Sequence, residues 1–372
     1  MPNNKRKINI TIISGGIYPF VIGGAEIFIY FLIKELSKSY QVTLISQYDP
    51  GLEGVKFVKI RNLKPFRFFY PLQLFYLLFL TNIGKTTLYT SYMKASWLNY
   101  IPIVLFSAFT GVPYVFTIHG GGLSEWKFKL PYLYFFRKAK GITGVSQRIC
   151  QEYNKRTRLE IKFLPPLIPF LTSKLSHDSI KTAYEIPKNK KIFLFVGSLK
   201  PLKNPQHILE AMKELGQTFL NENKLFFVFA GDGILKEKLK NYCYENRLND
   251  FVCFLGNVSV EFIHEVYKIA DYYIMCSDFE GTPISLLEAM YNKLPIIASD
   301  APGINNILTH SKSALLFNTG NVSELVSSIN LLINDGDKRN EIRIQAKRIY
   351  DEQFNFQEVL TEYSKIICNN NG

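Results

Sequence analysis

The chain has 372 residues, with 44 Lys and Arg against 31 Asp and Glu, a formal charge of +13, 47% hydrophobic and 20% charged residues. That length supports two or three domains with sizeable cores. The apolar content and modest charge exclude a largely disordered chain, and the composition excludes collagen-like, coiled-coil and disulfide-scaffold classes.

The opening MPNNKRKINITIIS has basic residues, but its apolar run is short and β-branched, which predicts a first strand over 8–14 and not a signal peptide. Further strand-like runs fall at 41–46, 55–60, 87–90, 113–117 and 142–145, with helical patterns at 25–39, 69–81, 96–110 and 146–154 between them. The stretch 101–118 is uncharged, but Pro102, Gly111 and Pro113 interrupt it, so it reads as a helix end, a turn and a buried strand. At 163–170 the sequence is FLPPLIPF, followed by polar TSKLSHDS at 172–179. Adjacent prolines continue neither a helix nor a central strand, which places a domain boundary after Pro165.

Beyond it, strands are predicted at 192–196, 225–230, 252–255, 272–275, 295–298 and 314–317. Helices are predicted near 206–216, 235–247, 259–269, 283–291 and 321–333, and the tail after Asp337 reads as helical with a break between Phe354 and Phe356. Short buried strands alternating with helices mean parallel sheets covered on both faces. The predicted class is α/β, with doubly wound domains at 1–165 and 166–355 and a terminal helix at 356–372.

The positive excess is lopsided: residues 1–165 carry 22 basic and 7 acidic side chains, whereas 166–372 carry 22 and 24. An anionic partner for the first half follows: a membrane surface, a lipid phosphate or a nucleic acid. Lys56, Lys59, Arg61, Lys64 and Arg67 lead into FFYPLQLFYLLFL at 68–80, which is too short to span ~30 Å of hydrocarbon. A basic run before such a segment fits a helix lying on an anionic membrane; the alternative is a buried helix behind a solvated strand. The basic residues lack the interleaved aromatics of an RNA-binding signature, so no nucleic-acid partner is expected. Five cysteines, an odd number with no C-x-x-C pair, argue against a zinc site or a disulfide framework and place the protein in a reducing, cytoplasmic compartment.

The segment FEGTPISLLEAM, 279–290, carries the most chemistry. It follows a buried strand. Thr282 suits the N-cap and Pro283 the first helical position, so Glu280 and Gly281 fall in the strand-to-helix turn and Glu288 on the helix. The N–H groups of Ile284 and Ser285 then lack intrahelical partners and offer an anion site suited to a diphosphate. Two carboxylates flanking such a site match a sugar nucleotide; the bland reading is a solvated glutamate pair. In VGSLKPLKN, 196–204, a strand ends, Gly197 and Ser198 turn, and Lys203 can place its ammonium on a phosphate. Gly231 and Gly233 of GDG allow close backbone approach to a ligand. In the first half, Gly23 and Gly24 of SGGIYPFVIGGAE precede a helix and present N–H groups to an anion. His119 of TIHGGG stands at a strand's C-terminal end, where loops carry sites. No strand is followed by G-x-G-x-x-G, NIGKTT fails as a Walker A motif because position 79 is Phe79, and DGD at 335–337 reads as a surface turn. No His, Asp or Glu cluster has metal-ligand spacing, so no metal is expected.

Taken in order, GGAE, HGG, VGSLKPLKN, GDG, EGTPISLLEAM, PIIASDAPG and ALLF resemble the retaining glycosyltransferase family 4 over essentially the whole chain. The resemblance implies the GT-B architecture: two Rossmann-like, doubly wound domains facing across a cleft, acceptor on the first, nucleotide-diphosphate sugar on the second, and a final helix crossing back to the first. It implies Lys203 on the donor diphosphate, Glu280 at the transferred sugar, Glu288 on the ribose, Gly24 lending its backbone to the diphosphate, and His119 beside sugar and acceptor. Transfer with retention, by front-side attack and without a metal or other cofactor, is implied too.

Two positions depart from the family pattern: Ser198 stands where Arg is common, and Pro302–Asn306 lacks the usual carboxylate. The expected function is transfer of a hexose from a UDP- or GDP-sugar to a glycan or polyprenyl-linked acceptor in polysaccharide or lipopolysaccharide assembly, at the inner face of the cell membrane. A nucleotide-sugar epimerase is the alternative on the same architecture. An NAD-dependent oxidoreductase is disfavoured by the missing glycine fingerprint.

Overall fold

The computed structural model describes residues 8–21, 23–61, 69–81, 86–92, 100–119, 129–168 and 177–368. The chain divides into two compact units, residues 1–169 with 356–372, and residues 170–355.

The first unit is built on seven parallel strands: β1 Asn9–Ser14, β2 Gln41–Ser46, β3 Val55–Lys59, β4 Thr86–Tyr92, β5 Tyr114–Ile118, β6 Gly141–Gly144 and β7 Lys162–Phe163. Their order is β3-β2-β1-β4-β5-β6-β7. The helices are α1 Gly24–Leu36, α2 Phe69–Thr81, α3 Ile101–Thr110, α4 Lys129–Lys138 and α5 Gln147–Thr157. Side chains alternate across a strand, and β5 shows the result. Tyr114, Phe116 and Ile118 pack with α2 to α5, through Leu74, Leu78, Ile103, Phe106, Phe135 and Tyr153. Val115 faces the other way, towards Phe28, Ile29 and Leu32 of α1.

The second unit has six parallel strands: β8 Lys191–Val196, β9 Leu225–Ala230, β10 Val252–Gly256, β11 Tyr272–Met275, β12 Ile296–Ser299 and β13 Leu315–Phe317, in the order β10-β9-β8-β11-β12-β13. Its helices are α6 His177–Ala183, α7 Pro205–Glu222, α8 Lys236–Glu245, α9 Val260–Lys268, α10 Ile284–Tyr291, α11 Val322–Asn334 and α12 Gly336–Gln353. Phe193, Phe195, Phe227 and Phe229 line one sheet face under α7, α8 and α11.

The last helix, α13 Phe356–Cys368, belongs to the first unit. Its buried stripe Val359, Tyr363 and Ile367 has the spacing of one helix face and packs with α1. Tyr363 Oη donates to the Leu164 carbonyl at 3.2 Å. Leu164 and Leu167 are buried in the same core, which keeps the chain with the first unit past Pro165.

Three elements are absent from the sequence reading. They are α4, α6 and the two-residue strand β7, each short or lacking a clear period. The DGD stretch is not a surface turn. Asp335 caps α12, accepting from the Lys338 N–H at 2.8 Å, and Gly336 and Asp337 are already helical. A capping aspartate and a turn aspartate use the same side-chain acceptor, so the spelling does not distinguish them. All five cysteines are free thiols. Among the described residues no helix is long and apolar enough to cross a membrane.

Candidate active site

In the second unit β8 and β11 are neighbours, yet the chain leaves β8 towards β9 and β10 and leaves β11 towards β12 and β13. Their loops diverge and open a crevice at the carboxyl edge, the place where doubly wound sheets bind ligands. Lys203 comes from one of these loops and Glu280 from the other.

The β8 loop ends in a single 3-10 turn, Pro201–Lys203, and Asn204 takes the left-handed conformation at φ 44°. Asn204 ties the two loops together. Its Nδ2 donates to the Cys276 carbonyl at 3.2 Å and to the Asp278 carboxylate, and the Asp278 N–H donates to the Leu202 carbonyl at 3.0 Å. Lys203 is thereby held so that its Nζ forms an ion pair with Glu280 Oε1. Ser277 Oγ donates to the same oxygen at 2.7 Å, and Ser299 Oγ at the end of β12 donates to the Ser277 carbonyl at 2.6 Å. The Glu280 backbone is held from a third loop: its N–H donates to the Pro302 carbonyl at 2.9 Å. Gly303 follows at φ +90°, and a Cβ there would stand 2.1 Å from the Glu280 carbonyl oxygen. Only glycine fits such an approach.

Gly231 and Gly233 are required by contacts within the protein itself. A Cβ on Gly231 would lie 2.0 Å from the Gly197 carbonyl oxygen, and one on Gly233 2.4 Å from that of Leu199. These glycines let the β9 loop press against the β8 loop and shape the loop carrying Ser198 and Lys203. Asp232 between them is paired with Lys236 at 2.7 Å.

Helix α10 begins one residue later than expected. Pro283, not Thr282, is the N-cap, at φ −73° and ψ 111°, and Ile284 is the first helical residue. Extended ψ at Pro283 postpones the helix, and a proline side chain has no acceptor to turn back on the helix start. The leading N–H groups, those of Ile284 and Ser285, therefore have no intrahelical acceptor. They follow Glu280, Gly281 and Thr282 directly at the mouth of the crevice.

Glu288 is one turn further into α10 and buried. Burial pushes its carboxyl up to about 7, a shift that Tyr267 of α9 partly offsets by hydrogen bonding. The Tyr267 hydroxyl has one hydrogen, which Glu288 shares with the Ser285 carbonyl 2.9 Å from Oη.

The other candidates belong to the first unit. Gly23 precedes α1 and Gly24 opens it. A Cβ on Gly23 would lie 2.4 Å from Glu26 Oε2, so the start of α1 already carries an acidic side chain of its own, which complements the helix dipole. His119 follows β5, and its ring lies 4.8 Å from that of Phe28 on α1. Its Nε2 is buried without a hydrogen-bond partner among the described residues, and burial drives the imidazole down to about 3, so it is neutral. Gly23, Gly24 and His119 all stand at the carboxyl edge of the first sheet. The three glycines after His119 lie outside the described residues.

The sequence reading missed Asn204, Ser277, Tyr267 and Gly303. Asn204 had a signal, since asparagine after a short turn tolerates the left-handed conformation. Tyr267 had none: it lies on another helix, and only packing brings it to Glu288.

The fold recurs in solved glycosyltransferases. The enzyme from Rickettsia africae superposes with a TM-score of 0.78 at 16% identity, over 98% of this chain and 100% of that one. Anabaena HepE in complex with UDP and glucose gives 0.75 at 18% identity, over 96% and 98%. The fold class is therefore GT-B. Residues 22–168 match the family described as Glycosyltransferase Family 4, and residues 176–349 match Glycosyl transferases group 1. The chain belongs to these group 1, family 4 glycosyltransferases. A relative from Campylobacter jejuni, GalNAc-alpha-(1->4)-GalNAc-alpha-(1->3)-diNAcBac-PP-undecaprenol alpha-1,4-N-acetyl-D-galactosaminyltransferase, is 27% identical over 93% of this chain and 95% of its own length.

Proposed function

We propose that this glycosyltransferase transfers a hexose-type sugar, with retention and without a metal, from a UDP- or GDP-sugar to a polyprenyl-linked or other glycolipid acceptor at the inner face of the membrane. Assembly of cell-surface polysaccharide or lipopolysaccharide is the natural setting. The observation that carries the donor half is the meeting of Lys203, Glu280 and the uncapped start of α10 at the switch point of the second unit. The acceptor half leans on the Campylobacter relative, whose acceptor is an undecaprenol diphosphate glycan.

In this reading the second unit holds the donor and the first the acceptor. The donor diphosphate sits on the N–H groups of Ile284 and Ser285, with Gly281, Thr282 and Pro283 shaping the turn and Gly197, Ser198 and Gly231 forming the opposite wall. Lys203 uses one ammonium hydrogen on Glu280 and has two more for a phosphate oxygen. Charge builds on the leaving diphosphate as the glycosidic bond breaks, and a fixed cation and helix start stabilise it without reorganising. Glu280 Oε2 makes no hydrogen bond among the described residues and faces the sugar. Glu288 accepts from the ribose hydroxyls. The backbone of Gly23 and Gly24 serves the diphosphate. His119, neutral, accepts from or donates to a hydroxyl of sugar or acceptor without changing charge.

Thermal shift with a panel of UDP-, GDP- and ADP-sugars tests the donor site. Ligand at 100 times its Kd stabilises by about 2.7 kcal/mol, and Lys203→Ala is expected to abolish the shift given by the one matching base. Proton NMR of the product's anomeric signal, with and without EDTA, then tests retention and metal independence. A shift untouched by Lys203→Ala overturns the site. Conversion of donor without acceptor replaces the transferase reading with the epimerase one.

A further inference from the structure

Helices α2 and α3 lie side by side on one face of the first sheet, with the rings of Phe79 and Phe106 4.9 Å apart. Their inner faces are ordinary core: Leu74 and Leu78 from α2, Ile103 and Phe106 from α3. The outer faces depart from the rule for surface helices. Neither helix contains a charged residue, although the solvent side of an amphipathic helix is normally polar. What α2 exposes is Leu72 at 65%, Tyr76 at 62% and Leu80, spaced one turn apart; α3 exposes Leu105 and Phe109, the latter at 75%. Two neighbouring helices thus present one continuous apolar surface, the kind of patch that marks an interaction site.

The frame around this surface is basic. From 55 to 124 the sequence contains no Asp or Glu. On one side Lys56 shares the sheet face of Val58, which packs towards α2, and the Arg61 N–H is held by Gln73 of α2 at 3.2 Å. On the other side α4 packs beside α3 and exposes Tyr134, with Lys138 Nζ 5.8 Å over its ring, and Arg137 exposed beside it. An apolar surface edged by cations and amphipathic tyrosines matches the interface of an anionic bilayer. At 13 residues α2 is about 20 Å long, too short to cross a ~30 Å hydrocarbon layer, so it lies in the interface plane.

We propose that the joined outer face of α2 and α3, framed by Lys56, Arg61, Arg137 and Lys138, docks the protein on an anionic bilayer. The proposal deepens the lipid-acceptor reading above and rests on it for the presence of a membrane; its test needs no acceptor. Docking through two helices commits the first unit to one orientation, with Leu72, Tyr76 and Phe109 entering the headgroup layer and the basic residues at the level of the lipid phosphates.

The test is sedimentation of the full chain with vesicles of phosphatidylcholine alone or with one third phosphatidylglycerol. Wild type is expected to bind the anionic vesicles at least ten-fold more tightly than the neutral ones, and to lose most of that preference at high salt. Leu72→Glu with Phe109→Glu is expected to weaken binding more than ten-fold. Lys56→Glu with Arg61→Glu should remove the anionic preference and leave residual neutral-vesicle binding. These positions are exposed, and an unchanged nucleotide-sugar thermal shift shows that each variant is folded. Vesicle binding that the helix variants leave intact overturns the proposal, as does no binding by wild type. A dimer in light scattering that Leu72→Glu with Phe109→Glu dissolves overturns it in favour of a second copy. Vesicle binding without any nucleotide-sugar shift leaves the docking surface standing and removes the donor reading; the reverse result removes the docking surface alone.

Discussion

Glu288→Gln separates the electrostatics of the buried acid from its shape. The unfolded chain releases the Glu288 proton near 4.5, whereas burial holds it to about 7 in the folded protein. Between these values the folded state carries one proton more than the unfolded state, so stability falls as pH rises, by about 1.4 kcal/mol per pH unit. The stabilisation relative to an ionised buried carboxylate is complete below 4.5 and gone above 7, roughly 3 kcal/mol in all. Glutamine has the same shape and no proton to lose. The difference between wild type and Glu288→Gln is therefore expected to slope by that amount between pH 5 and pH 7 and to level off by pH 8. Denaturant unfolding followed by far-UV circular dichroism reads this. If Glu288 accepts from ribose, donor affinity in wild type rises through the same inflection, since the carboxylate is the better acceptor, and the inflection vanishes in the variant. Parallel stability profiles for the two proteins would refute the buried-acid argument, and with it the pH dependence assigned to donor binding.

Gly303→Ala is expected to destabilise by about 3 kcal/mol, lowering Tm by roughly 5–10 °C, because its Cβ would enter the Glu280 carbonyl at positive φ. Gly281→Ala, whose Cβ meets nothing within 4 Å, should melt like wild type. Equal melting of the two would show that the third loop does not constrain Glu280. Tyr267→Phe removes the hydrogen bond that lowers the Glu288 pKa, so the inflection in donor affinity should move up; a downward move contradicts the assigned geometry. The His119 imidazole should stay neutral by NMR from pH 8 to pH 5, because burial holds it near 3. Since the unfolded chain takes up this proton near 6.5, His119 should cost stability as pH falls below that value; a titration midpoint above 6 would contradict its burial.

Most of the fold was legible in the order of elements. Strands with β-branched and aromatic runs, alternating with helical periods, already required two doubly wound parallel sheets. The uncharged stretch over 101–118 resolved into α3 and β5 where Gly111 and Pro113 required a break, with Pro102 in the first turn of α3. Legibility failed where the signal was short or shared, as at β7, or at Asp335, where a cap and a turn are spelled alike.

The candidate site divides in the same way. Residues 272–290 by themselves determined a strand, a turn and a helix with an acid in the turn and another on the helix, because local periodicity and proline placement act over a few residues. Only the tertiary structure decided the rest. Which strands neighbour each other sets the crevice between β8 and β11, and that pairing joins Lys203 to Glu280 across 77 residues of chain. Burial, which depends on what every other element covers, turned Glu288 into an acid titrating near neutrality and His119 into a neutral imidazole. Packing also assigned the glycines of GDG to loop contacts and brought Tyr267, unmarked in sequence, to the acid it tunes. Local preference is written residue by residue; proximity and dielectric surroundings belong to the folded chain as a whole.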